Sequence, residues 1–191
     1  MTKTIFLLTI SFLLSVVASA QNIIEWSADY KLTKDDFQAE APNSGQMQTA
    51  SGSYYVEYEM GGLNLVMTRN LNENVSCYFQ KDASYLDEGT EEGTARLLKY
   101  QNLVFNLYEI QARNIRKKFF EERKTLLTKG PSKLHQQAYA EHAKLLSQVE
   151  NETFNGTLDS EIDKWMDWSL EELERLGDFC KTCKPKKNKN K

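Results

Sequence analysis

The stretch LLKYQNLVFNLYEIQARNIRKKFF, residues 97–120, decides how the rest of the chain is read. It holds neither Gly nor Pro and is rich in Leu, Lys, Arg, Gln and Glu, the composition of a long helix. At 100° per residue, Leu97, Leu98, Val104, Phe105, Tyr108, Ala112, Ile115 and Phe119 fall on one apolar stripe. Gln101 lies in the middle of that stripe, where a buried amide needs a hydrogen-bond partner.

On the N-terminal side, the period-two pattern of half-buried strands precedes the helix. Tyr54, Val56, Tyr58 and Met60 alternate with Tyr55, Glu57 and Glu59. Gly61-Gly62 supplies a hairpin turn, and Leu63, Leu65 and Met67 alternate on the return. After a polar connection at Asn70–Asn74, Val75, Cys77 and Phe79 make a third alternating run. Such a three-strand antiparallel meander cannot bury its own face, so the long helix is its natural cover. The segment from Lys81 to Arg96 reads as a connection whose carboxylates, Asp82, Asp87, Glu88, Glu91 and Glu92, favour a helix N-terminus. Their spacing does not fit an EF-hand loop.

Further toward the N-terminus, residues 21–43 read as a short strand or extended arm, with Trp26, Leu32 and Phe37 as anchors and Thr33–Asp36 capping a single helical turn. The first twenty residues, MTKTIFLLTISFLLSVVASA, carry one Lys, an apolar run from Ile5 to Val17 and a small-x-small site at Ala18–Ala20. That is the form of a secretory signal peptide. The apolar run falls short of the ~20 residues a comfortable membrane span needs. Gln21, where a lipidated chain would carry Cys, becomes the expected mature start, and the product is expected to be periplasmic or extracellular with no transmembrane segment.

On the C-terminal side, Gly130-Pro131 is a stop and restart. Ser132–Val149 reads as a second helix with Leu134, Ala138, Leu145 and Val149 inward, and a third runs to Leu176, capped by Thr157 or Asp159. His135 and His142, the only histidines, lie two turns apart, roughly 10 Å, and read as surface residues. Cys180-Lys-Thr-Cys183 has the spacing of a redox or metal half-site, but no strand precedes it and no second pair accompanies it. A local disulfide or two idle thiols is the plainer reading, with Cys77 as a small buried side chain. The domain organisation is thus 1–20 leader, 21–180 one α+β domain, and 181–191 a basic disordered tail. Without the leader and tail the body carries 17 basic and 27 acidic residues, which argues against nucleic acid as a ligand.

The order of a Trp, then Leu-Thr-x-x-Asp-Phe, a meander, and a helix Leu-Leu-x₆-Phe-x₃-Glu-x₂-Ala-Arg resembles a family of exported bacterial proteins of unknown function described as predicted zinc-dependent proteases. The matching residues are Trp26, Leu32, Thr33, Asp36, Phe37, Leu97, Leu98, Phe105, Glu109, Ala112 and Arg113, and the likeness spans roughly Trp26 to Leu176. The resemblance implies a zincin-like fold whose long helix carries H-E-x-x-H. There, two His one turn apart would bind one zinc, and the Glu would take a proton from zinc-bound water.

In this chain the five positions read Tyr100, Gln101, Asn102, Leu103 and Val104. Both His and the base are replaced, and the acid that follows is Asn106. A later Thr-x-His-Gly of the family reads Thr153-Phe154-Asn155-Gly156, with Asn155 in the His position. A phenol, an amide and a valine are poor zinc ligands. The resemblance therefore implies a retained fold without cofactor or catalysis, which binds a peptide or an envelope protein through the degenerate site, with Glu109 and Arg113 as candidate contacts. The competing readings are a hydrolase with non-standard metal ligands and a structural envelope component. No G-x-S-x-G, P-loop or G-x-G-x-x-G motif occurs.

Overall fold

The computed structural model describes residues 22–42, 48–59, 70–87 and 89–185. The leader and the stretch containing Gly61-Gly62 and Leu63–Met67 lie outside the described residues. The fold is α+β. Three antiparallel strands, β1 (Ile23–Glu25), β2 (Ala50–Tyr58) and β3 (Val75–Leu86), form a sheet in the order β1-β3-β2. Helix α1 (Glu91–Glu121) covers it, followed by a short α2 (Arg123–Lys129), then α3 (Ser132–Glu152) and α4 (Asp159–Arg175). None of the described helices is long and apolar enough to cross a membrane.

β3 is the centre of the sheet because its alternation is the most apolar. Val75, Cys77 and Phe79 are all buried, and Phe79 meets Ile24 on one side and Tyr54 on the other. The strand runs on to Leu86, so residues 81–86, expected as connection, belong to the sheet. Ser84 makes this continuation work. Its hydroxyl accepts from the Ser53 N–H and donates to the Gln80 carbonyl, satisfying the backbone where the register slips between Ser51 and Ser53. The arm expected at residues 21–43 supplies the third described strand, and its helical turn is a 3-10 turn, Lys34–Asp36. Asp36 accepts from the Thr33 N–H and from Tyr30, and pairs with Lys81 of β3.

Helix α1 starts six residues before the apolar stripe. Thr90 caps it by accepting from the Gly93 N–H, and Glu91 and Glu92 occupy its first turn. It is buried on two sides rather than one. The expected stripe, through Phe105, Ala112, Ile115 and Phe119, packs on Val75, Cys77 and Phe79. A second face, roughly 140° round the helix at 100° per residue, carries Tyr100, Leu103, Leu107 and Ile110. That face packs on Val149 of α3 and on Ile162, Leu173 and Leu176 from α4 and its end. The helix is therefore a spine between two cores, and this fixes which of its polar residues must be internally satisfied.

Other expectations are corrected. His142 is a buried residue, 5 % exposed, with its ring against Tyr108 at 4.6 Å, while His135 is half-buried against Tyr58. α4 is preceded by Leu158 with no side-chain cap, so neither Thr157 nor Asp159 serves. The ordered chain also continues past Cys180. Cys180 and Cys183 are joined in a disulfide, Cys77 is free and buried, and Lys181 pairs with Glu25 of β1. Asn72, completely buried, donates its amide to the carbonyls of Asp178, Cys180 and Cys183 at 3.1–3.2 Å. Residues 186–191 of the expected tail lie outside the described residues.

Candidate functional site

Of the positions that the resemblance aligns with H-E-x-x-H, Tyr100, Gln101 and Leu103 are buried, and Asn102 and Val104 are half-buried. Tyr100 is 7 % exposed, and burial, reinforced by the charge of Glu150 and opposed by a hydrogen bond with Thr153, pushes its phenol up to about 12. It remains a protonated phenol, a poor metal ligand. Gln101 is 4 % exposed and turns toward the sheet. The Tyr54 hydroxyl lies 2.9 Å from the Gln101 carbonyl and 2.8 Å from its Oε1 and donates to both; Gln101 Nε2 reaches the Ala50 carbonyl at 3.4 Å. That is the partner a polar residue in the stripe requires. Val104 is half-buried against the helical core.

The loop bearing Asn155 does lie against α1. Gly156 backs onto the Tyr100 ring so tightly that a Cβ there would sit 2.5 Å from Cγ of Tyr100. Thr153 locks the loop, its hydroxyl donating to the Val149 carbonyl and accepting from the Gly156 N–H. Phe154 and Asn155 take left-handed backbone, φ 48° and 53°, so both side chains project outward and Asn155 is exposed. Tyr100 and the loop thus meet on the side of the helix away from the sheet, while Gln101 turns toward the sheet. Gly156, at φ 82° and against the ring, is doubly constrained. Gly156→Ala is expected to cost about 2 kcal/mol, read as a lowered urea midpoint. A change within ~0.5 kcal/mol would mean that the loop is free to move off Tyr100.

Among the described residues no group of three or more His, Cys, Asp or Glu side chains gathers to hold a metal ion.

One helical turn further along α1 the molecule does open. A cleft of about 400 Å³ lies between the N-terminal arm, α1 and the C-terminal half of α4. Trp26, Tyr30, Phe105, Leu170 and Leu173 give it apolar walls, and Asn106, Arg113 and Lys31 give it polar ones. Its size falls within the ~300–1,000 Å³ common for ligand sites. The walls are rigid. Asn106 accepts from the Trp26 indole N–H at 3.1 Å and donates to Ser169 at 3.1 Å, tying arm, α1 and α4 together. Arg113 lies 5.3 Å from the Trp26 ring, over its face. Tyr30 and Leu170 stand 41 % and 47 % exposed.

Of the residues singled out from sequence, Asn106 and Arg113 therefore meet at this cleft. Glu109, expected as a contact, is instead buried beneath it, its carboxylate accepting from both Arg113 and Arg116. Trp26 was legible only as an anchor, and nothing in the local sequence marks Leu170 as rim. Comparison of the chain with protein-family models, curated proteins and solved structures returned no match.

Proposed function

We propose that the chain is a non-catalytic, exported relative of zinc metallopeptidases that binds an extended peptide or protein segment in the Trp26–Arg113 cleft. The observation that carries this reading is the use to which the motif positions are put. Gln101 is committed to Tyr54 and Ala50, Tyr100 supports the Thr153–Gly156 loop, and Val104 packs half-buried against the helical core. Each is spent on the fold. The neighbouring cleft offers apolar walls with a few fixed polar groups, the chemistry that holds a side chain of a passing segment.

The test is selection from a random peptide library on the full chain, followed by Leu170→Asp. Leu170 is on the exposed rim, so this change should leave the fold intact. It is expected to weaken selected peptides at least about tenfold, or ~1.4 kcal/mol. Peptides that bind Leu170→Asp as tightly as the parent, or a library that yields no binder, would overturn the reading.

A further inference from the structure

We propose that Cys180–Cys183 is a thiol–disulfide exchange site acting on polypeptide thiols; only its choice of client rests on the cleft reading. The two cysteines are joined across a tight turn in which the Cys183 N–H donates to the Cys180 carbonyl at 3.1 Å. Both are half-exposed, unlike the buried Cys77. Cys180 lines the same cleft as Trp26 and Arg113.

A purely structural role explains this bond poorly. A disulfide separated by two residues closes a very short loop, and short loops gain least from a cross-link. The backbone here is already held without it: Asn72 grips the carbonyls of Asp178, Cys180 and Cys183, and Arg116 holds that of Phe179. Those contacts hold the backbone of the turn independently of the sulfur–sulfur bond. Lys181 lies between the two cysteines with its ammonium paired to Glu25, Lys184 follows Cys183, and the Thr182 hydroxyl lies 3.7 Å from Cys180 Sγ. The charge of Lys184, next to Cys183 in the chain, favours a thiolate over a thiol.

The exchange balances within the chain and its client. A client thiolate attacks Cys180 Sγ, forming a client–Cys180 bond. The Cys180–Cys183 bond breaks, and its electron pair leaves on Cys183 as thiolate. A second client thiolate then attacks the client sulfur of the mixed disulfide, and Cys180 leaves as thiolate. The client gives up two electrons and forms a disulfide; the chain's disulfide takes both. One turnover needs no other oxidant.

The test mixes the oxidised full chain with a peptide carrying two cysteines and, separately, with reduced glutathione, following products by acid quench and mass spectrometry. One peptide disulfide per chain is expected, at least tenfold faster with folded chain than with chain unfolded in urea. Cys183→Ser is expected to trap a disulfide-containing peptide on Cys180, and Cys180→Ser to trap at least tenfold less. Equal rates folded and unfolded, equal trapping by the two variants, or loss of the circular dichroism signal on reduction would each overturn the proposal. If exchange behaves as expected but Leu170→Asp leaves the peptide's advantage over glutathione unchanged, the exchange site stands and the cleft reading alone falls.

Discussion

Glu109→Gln is expected to lower the stability of the fold by about 3–5 kcal/mol, the cost of leaving a buried charge without its partner. Glu109 is 3 % exposed and Arg116 1 %. Glu109 Oε1 lies 2.9 Å from Arg113 Nε and 2.7 Å from an Arg116 terminal nitrogen. Further guanidinium donors go to backbone carbonyls: Arg116 to Val75 and Phe179, Arg113 Nη1 to Leu173. One carboxylate therefore balances two cations, which fasten α1 to β3, to α4 and to the C-terminal turn. Glutamine keeps the shape and removes the charge, so two guanidiniums face each other uncompensated. Against a typical total of ~5–15 kcal/mol, the loss is large. It is read as the shift in urea midpoint at neutral pH, at unchanged slope. A loss below ~1 kcal/mol would mean that water reaches the cluster and screens it.

The second large effect is a pH dependence carried by His142. Burial lowers its pKa from 6.5 to about 4, and neither ring nitrogen has a hydrogen-bond partner among the described residues. Above pH 6.5 the ring is neutral whether the chain is folded or not. As pH falls through 6.5 the unfolded chain takes up a proton that the folded chain refuses, so stability falls. The loss continues until about pH 4, where the folded chain is protonated as well. At ~1.4 kcal/mol per pH unit the full loss is about 3 kcal/mol. Glu141 and Glu172 line the groove beside the ring with Gln111 and Trp168, and Glu141 is paired with Lys118. Both carboxylates are present in His142→Leu as well, so the difference between the two proteins isolates the imidazole. Between pH 7 and 5 the parent is expected to lose about 2 kcal/mol more than His142→Leu in urea titrations. Parallel pH profiles would show that the buried ring finds a partner or opens to water.

The fold was legible where local pattern and packing agree. The stripe through Phe105, Ile115 and Phe119, the alternation of Val75, Cys77 and Phe79, and the break at Gly130-Pro131 all gave elements that the structure contains. The second buried face of α1 was equally present in the sequence, at Leu103, Leu107 and Ile110. A single stripe suffices for a helix on a sheet, so this face has no evident role until α3 and α4 pack on it. Histidine has no fixed preference for surface or interior, so the burial of His142 follows only from Tyr108 and the α3–α1 packing. The Arg116 anchor is only partly local: Glu109 stands two turns back on the same helix. Its other partners are carbonyls 41 and 63 residues away, which only the tertiary fold brings together. The cleft was half-legible for the same reason: Asn106 and Arg113 were marked, while Leu170 and the disulfide turn arrive from the far end of the chain.

Zinc content tests the proposal of a fold retained without its metal most directly. The full chain is incubated with excess zinc, dialysed, and measured by elemental analysis alongside peptidase activity on an unstructured substrate. With Tyr100 protonated, Gln101 committed to Tyr54 and Val104 lacking any donor atom, zinc is expected far below one ion per chain, with no activity that a chelator removes. One tightly held zinc per chain, lost together with peptidase activity when the chelator is added, would contradict it.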